Sequence, residues 1–143
     1  MKDDISALGG IRILELSRLL PGGLATQMLG DIGADVIKVE QPGIGDYTRA
    51  FPPMGKQDSG FFLVGNRNKR SITVDLKSGP GKEIVHRLAK ECDVVVEGFR
   101  PGVADRLGVG YEALKKINPG IIYCSISGFG QTGPYRDIPG HDM

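Results

Sequence analysis

The sequence predicts an α/β fold: a mostly parallel sheet flanked by helices. Two observations carry that expectation. Short apolar, β-branched runs alternate along the chain with stretches of helical spacing. The first strand, helix and strand are joined by short connections, which favour a right-handed parallel crossover.

The first strand is "IRILEL", residues 11–16, interrupted by the turn "SRLLPGG". Beyond the turn, Leu24, Ala25, Met28, Leu29 and Ile32 recur at helical spacing, and Gly33 is the stop signal. "ADVIKVE", residues 34–40, is the second strand. Residues 41–60, "QPGIGDYTRAFPPMGKQDSG", follow neither periodicity and are long for a loop inside a domain, as functional or mobile segments are.

Residues 71–76, "SITVDL", alternate as a strand does. Ser78 then caps a helix in which Ile84, Val85, Leu88, Ala89 and Cys92 form one apolar face, with His86 on its polar surface side. "DVVVEGF", residues 93–99, is the next buried strand. Pro101 opens a short helix to about Leu107, "YEALKKIN" forms a second one stopped by Pro119, and residues 121–127, "IIYCSIS", form the last strand with Tyr123 and Cys124 in its core. Gly128, Gly130, Gly133, Pro134, Pro139 and Gly140 then make a loop with no helix after it. A sheet of this kind needs helices on both faces, so the fold is expected to be incomplete at its C-terminal end.

The 143 residues suit one ordinary domain. Lys and Arg number 18 against 17 Asp and Glu, a net charge of +1, so no global field gathers nucleic acid or an anionic membrane. Any anion recognition must be local. Cys92 and Cys124 have neither zinc-ligand spacing nor the density of a disulfide framework, which fits a reducing, cytoplasmic setting and predicts no metal site. "MKDDISALGG" lacks the basic and apolar regions of a signal peptide, and no apolar run approaches membrane-spanning length.

Four stretches carry candidate chemistry. "SRLLPGGLA" places Pro21, Gly22 and Gly23 between strand and helix, where free N–H groups can hold an anion or a carbonyl oxygen; the same residues also simply make a turn. Glu40 ends the second strand where a ribose-binding acid would sit. The single glycine pair nevertheless falls short of G-x-G-x-x-G, which disfavours a nicotinamide or flavin. "NRNKRS" groups Arg67, Lys69 and Arg70 ahead of a strand, suited to phosphate or to a solvated loop. "EGFRPGVADRLG" adds Arg100 and Arg106, with Phe99 able to stack on a base or pack in the core. Finally, His141 beside Asp142 can exchange a proton near neutral pH, although a lone terminal histidine is more often unstructured or structural.

Together "LGGIRILELSRLLPGGLATQMLGDIGADVIKVEQPGIGD", "NRNKRSITVDLKSGPGKEIV", "DVVVEGFRPGVADRLGVGYEALKKINPGIIYCSISGFGQTGPY" and "GHDM" resemble the opening third of a family III CoA-transferase, a superfamily that includes the 2-methylacyl-CoA racemases. The resemblance implies that residues 1–143 are the N-terminal part of a Rossmann-like CoA-binding domain, with no second domain. It also implies chains interlocked as a homodimer, coenzyme A or acyl-CoA as substrate with no permanently bound cofactor, and a carboxylic acid as the other partner.

By the same resemblance Leu19 and Leu20 approach the thioester end. Asn68, Lys69 and Arg70 form a basic element near the nucleotide, Gly98 and Phe99 line the adenine and pantetheine path, and Arg106 binds phosphate. Gln41 departs from the pattern, since many relatives carry arginine there. The transferase reaction passes through an aspartyl-CoA thioester whose Asp lies beyond the GHD motif and outside this chain, which then supplies the CoA-binding part. In the racemase alternative His141 is the acid/base and Asp142 serves local structure. A third alternative is a CoA-binding fragment without turnover.

Overall fold

The computed structural model describes residues 6–140. Its elements run β1 (Arg12–Glu15), α1 (Leu19–Asp31), β2 (Asp35–Glu40), a 3-10 turn (Tyr47–Ala50), α2 (Gly60–Asn66), β3 (Lys69–Thr73), α3 (Gly79–Lys90), β4 (Val94–Glu97), α4 (Val103–Leu107), α5 (Tyr111–Ile117) and β5 (Ile122–Ser125). The strands form one sheet in the order β3, β2, β1, β4, β5, and every pairing is parallel. β1 is therefore central, with Ile13 beside Val36 on one side and Val94 on the other.

Alternation along the strands feeds two cores. Leu14 and Val95, both fully buried, meet Val85 and Ala89 of α3 and Leu114 of α5. Each such side chain contributes about 1.5–3 kcal/mol on leaving water. Ile13, Val36 and Val96 face the other way and form a smaller cluster with Leu29 of α1. The larger core is held by specific caps. Ser78 Oγ accepts the Gly81 N–H at 3.0 Å, and Asn118 Nδ2 donates to the carbonyls of Ala89 (3.2 Å) and Cys92 (2.9 Å) beyond the end of α3.

Several local expectations change. α1 begins at Leu19, so Pro21, Gly22 and Gly23 lie in its first turns rather than in a turn before it. Its apolar spacing does not mark its buried side: Leu24, Met28 and Ile32 are 45%, 61% and 46% exposed, while Gly22, Gly23, Thr26 and Gln27 are buried. The reason lies beneath the helix, where β1 and β2 present charged side chains that only small or polar residues can cover.

Residues 41–60 are tied down by Arg49, which pairs with both Glu40 and Asp58 at 2.7 Å, and α2 follows them, an element the periodicity did not indicate. β3 starts at Lys69, which puts Lys69 and Arg70 in a strand rather than in a loop before it. His86 is half-buried and donates Nε2–H to the Gly108 carbonyl at 2.7 Å, joining α3 to the end of α4. Cys124 is exposed, because β5 is an edge strand and Ile122 on it is 62% exposed. Residues 126–140 contain no helix, and no described helix is long and apolar enough to cross a membrane.

Candidate functional site

An all-parallel sheet directs the carboxyl ends of its strands to one edge, and ligands settle where the strand order reverses. Here the chain builds outward from β1 through β2 to β3, then crosses to β4 on the opposite side of β1. At that edge lies a cleft of about 310 Å³. Leu16, Val39 and Val74, from the ends of three adjacent strands, form an apolar floor. Phe99 and Leu107 line one wall, and Gln41 and Lys77 the other.

Two cations, Arg18 and Lys77, line this cleft. Arg18 donates to the Tyr47 hydroxyl at 2.9 Å, and its guanidinium carbon lies 5.3 Å from the Tyr47 ring centroid and 5.9 Å from that of Phe99. Stacking between the rings fixes a cation at the mouth without neutralising it. Glu40 also lines the cleft, but its charge is spent internally on Arg49, Ser71 Oγ and the Asp46 N–H. Burial alone would raise its pKa, yet these donors hold it down to about 2.

The turn after β1 has an unusual backbone. Leu19 sits at φ +63°, the left-handed region that non-glycine residues rarely enter, and Arg18, the N-cap of α1, provides no side-chain cap. The Leu19 N–H points instead to Asp46 Oδ1 at 3.3 Å, which also accepts the Thr48 N–H at 2.9 Å and the Thr48 hydroxyl at 2.7 Å.

Under α1 the same Asp46 joins a buried charge cluster. Lys38 Nζ lies 2.8 Å from Glu15 Oε1 and 2.9 Å from Asp46 Oδ2, and donates to the Ser17 carbonyl at 3.1 Å. Lys69 Nζ lies 2.9 Å from Glu15 Oε2 and donates to the Gly23 carbonyl and Asn66 Oδ1. Two cations thus balance two carboxylates with almost no water access, the condition under which buried charge is tolerated. Burial opposes the charge on both lysines. Lys38, between two carboxylates, still ends above its usual pKa, whereas Lys69, with one adjacent carboxylate and Lys38 nearby, ends below.

The structure divides the residues singled out from the sequence. Phe99 lines the cleft, with Gly98 before it in the segment after β4, while Leu19 and Leu20 open α1 next to the cleft-lining Arg18 without lining the cleft themselves. A Cβ at Gly98 would lie 3.5 Å from Ser17 Cβ, which shows how closely the loops after β1 and β4 pass. Arg106 is exposed on α4, one residue before the cleft-lining Leu107.

Asn68, Lys69 and Arg70 lie at the opposite, amino-terminal edge, where Lys69 pairs with Val36. All three are engaged by carboxylates: Asn68 Nδ2 donates to Asp31 at 2.8 Å, Lys69 meets Glu15, and Arg70 grips Asp35 at 3.0 and 2.6 Å. Arg100 lines a second cleft of about 240 Å³, with Glu97, Asp105, Tyr111 and Tyr123. His141 and Asp142 lie outside the described residues. Among the described residues, no three His, Cys, Asp or Glu side chains are placed to hold a metal ion.

The profile of CoA-transferase family III matches residues 8–143. The chain belongs to CoA-transferase family III. Within that family it is 52% identical over 141 residues to succinyl-CoA:glutarate CoA-transferase of Mus musculus, covering 98% of this chain and 32% of that protein. It is 51% identical over 132 residues to formyl-CoA:oxalate CoA-transferase of Afipia carboxidovorans, covering 92% and 31%. The chain thus spans about a third of the length of the curated relatives it matches. Its fold is that of a CAIB/BAIF family protein from Brucella suis, with a TM-score of 0.91 at 48% identity over 96% of this chain and 37% of that one.

The sequence does not single out Arg18 and Lys77, which line the cleft of this CoA-transferase family III chain, or Tyr47, which holds Arg18. A signal for the two cations was present. Arg18 and Lys77 follow the apolar runs of β1 and β3 by a few residues, the position that brings a side chain to the carboxyl edge of a parallel sheet. Tyr47 carried no such signal, because its place depends on how residues 41–50 fold back over the turn after β1.

Proposed function

We propose that this chain supplies the coenzyme A-binding part of a transferase that moves CoA from an acyl-CoA to a free carboxylic acid. The observation that carries the reading is the cleft itself: an apolar floor, an aromatic wall at Phe99 and two cations, Arg18 and Lys77, with the exposed Asp75 also on its lining, placed at the carboxyl edge where the strand order reverses. An adenine ring suits the Phe99 wall, phosphates suit Arg18, Lys77 and the exposed Arg106, and the pantetheine arm runs over Leu16, Val39 and Val74. The thioester end then approaches Leu19 and Leu20 at the start of α1, where the helix dipole favours the carbonyl oxygen. Lys69 and Arg70 support this arrangement through their ion pairs with Glu15 and Asp35, and Asn68 through its hydrogen bond to Asp31 at the end of α1.

Transfer proceeds through an aspartate beyond the GHD motif, distinct from Asp142. Its carboxylate attacks the acyl-CoA carbonyl and expels the CoA thiolate, leaving a mixed anhydride. The thiolate then attacks the aspartyl carbonyl, releasing the first acid and forming an aspartyl-CoA thioester. The exposed Leu24, Met28, Phe61 and Val64 on α1 and α2 support an interlocked second chain over that face. Titration calorimetry of the 143-residue chain with CoA tests the binding reading: saturable binding is expected, weakened at high salt and in Lys77→Ala. Absence of heat and of any CoA-dependent stabilisation of the folded chain would sink it.

A further inference from the structure

We infer that Asp46 is a positioning residue for the cleft: one carboxylate fixes the strained turn after β1 and, with Tyr47 beside it, sets Arg18 at the mouth. The functional side of this inference rests on the CoA-binding reading; the structural side does not.

Three independent contacts converge on this short segment. Asp46 Oδ1 accepts the N–H of Leu19, the residue at φ +63°, at the first position of a helix whose own N-cap offers nothing. A non-glycine residue stays in that region only when its surroundings hold it there. Asp46 Oδ2 lies 2.9 Å from Lys38 Nζ, so the carboxylate is anchored from below by that ammonium and used from above as an acceptor. Tyr47 then receives the Arg18 side chain by hydrogen bond and by ring. Backbone and side chain of the turn are thus both gripped from residues 46–47, while the grip is registered to the sheet through Lys38 of β2 and Glu15 of β1.

The charge on Asp46 and its hydrogen-bonding have separable roles. Lys38 needs the charge; Leu19 and Thr48 need the acceptor. Asparagine keeps an acceptor and alanine does not, so the two substitutions distinguish positioning from general stabilisation.

Amide hydrogen exchange by NMR on the isotope-labelled 143-residue chain provides the readout, with calorimetric CoA titration beside it. In Asp46→Ala the Leu19 and Thr48 amides should exchange about tenfold faster or more, with Leu14 and Val95 still protected, and Asp46→Asn should restore Leu19 towards its original rate. Affinity for CoA should fall about tenfold in Asp46→Ala and recover in Asp46→Asn. Unchanged Leu19 exchange in Asp46→Ala, or Leu19 exchange as fast in a folded Asp46→Asn, overturns the inference. If Asp46→Ala loses protection at Leu14 and Val95, the charge-balanced double variant Lys38→Met/Asp46→Leu replaces it with the same expected and overturning results. Failure of the unaltered chain to bind CoA refutes the binding reading, while the exchange arm still decides whether Asp46 holds the turn.

Discussion

Phe99 is only half-buried, because it leaves the core at the end of β4 to form a wall of the cleft. Its N–H donates to Glu97 Oε2 at 2.7 Å, so the ring is placed by a local backbone contact rather than by packing alone. Phe99→Ala is expected to weaken CoA binding about tenfold, the worth of one stacked base, measured by calorimetry on the folded chain. Gly22 is constrained in the opposite sense. A Cβ there collides with the Ser17 side chain, so Gly22→Ala must push α1 off β1 and should cost about 1–3 kcal/mol in denaturant unfolding. The sequence placed a turn at these glycines for their backbone freedom. At Gly22 the actual constraint is close approach, which depends on a neighbour in space and leaves no trace in spacing.

At the scale of the element, α1 shows why periodicity misread a helix whose existence it had identified. Leu24 and Met28 repeat at helical spacing, yet Thr26 is the residue turned inward, with its hydroxyl 2.7 Å from Glu15 Oε2 and 2.8 Å from the Gly22 carbonyl. Apolar spacing locates the buried side only where the surface beneath is apolar, and here it is charged. Thr26→Val keeps the shape and removes the donor, leaving Glu15 short of a partner in a dry site. The expected loss is about 1–3 kcal/mol, readable as a lowered unfolding midpoint. α5 packs the other face by the ordinary rule. Leu114→Ala should cost about 2–5 kcal/mol by the same measurement, since Leu114 is fully buried against α3.

For the whole molecule, acid should act through residues 40–49. Glu40 is held at about 2 against an ordinary 4.5, and Asp46 is lowered too, by Lys38 and the Thr48 N–H acting against burial. Carboxylates whose pKa falls on folding contribute stability that is full above the ordinary value and is lost as pH falls towards the folded value. Burial raises Glu97, whose contribution runs the other way, favouring the fold as pH drops. Denaturant midpoints should therefore fall between about pH 4.5 and pH 2, and Glu40→Gln should make that fall shallower. Parallel pairing, unlike strand order, followed from the βαβ pattern, because β-branched runs and short crossovers are local signals. The cleft was legible in part: Phe99, placed by the sequence at a strand end, lines it. Lys69 looked like a free cation, because nothing in the order of residues shows that Glu15, far away in the chain, comes to lie beside it.

The central place of β1 has a kinetic consequence. β1 and β4 form the switch point that opens the cleft, and the contact that seals their start, from the Arg12 N–H to Asp93, joins residues 81 positions apart. That loop must close before the two cleft walls stand opposite one another, and long-range parallel pairing of this kind is slow to nucleate. A refolding chain should therefore regain helix signal well before it regains affinity for a nucleotide.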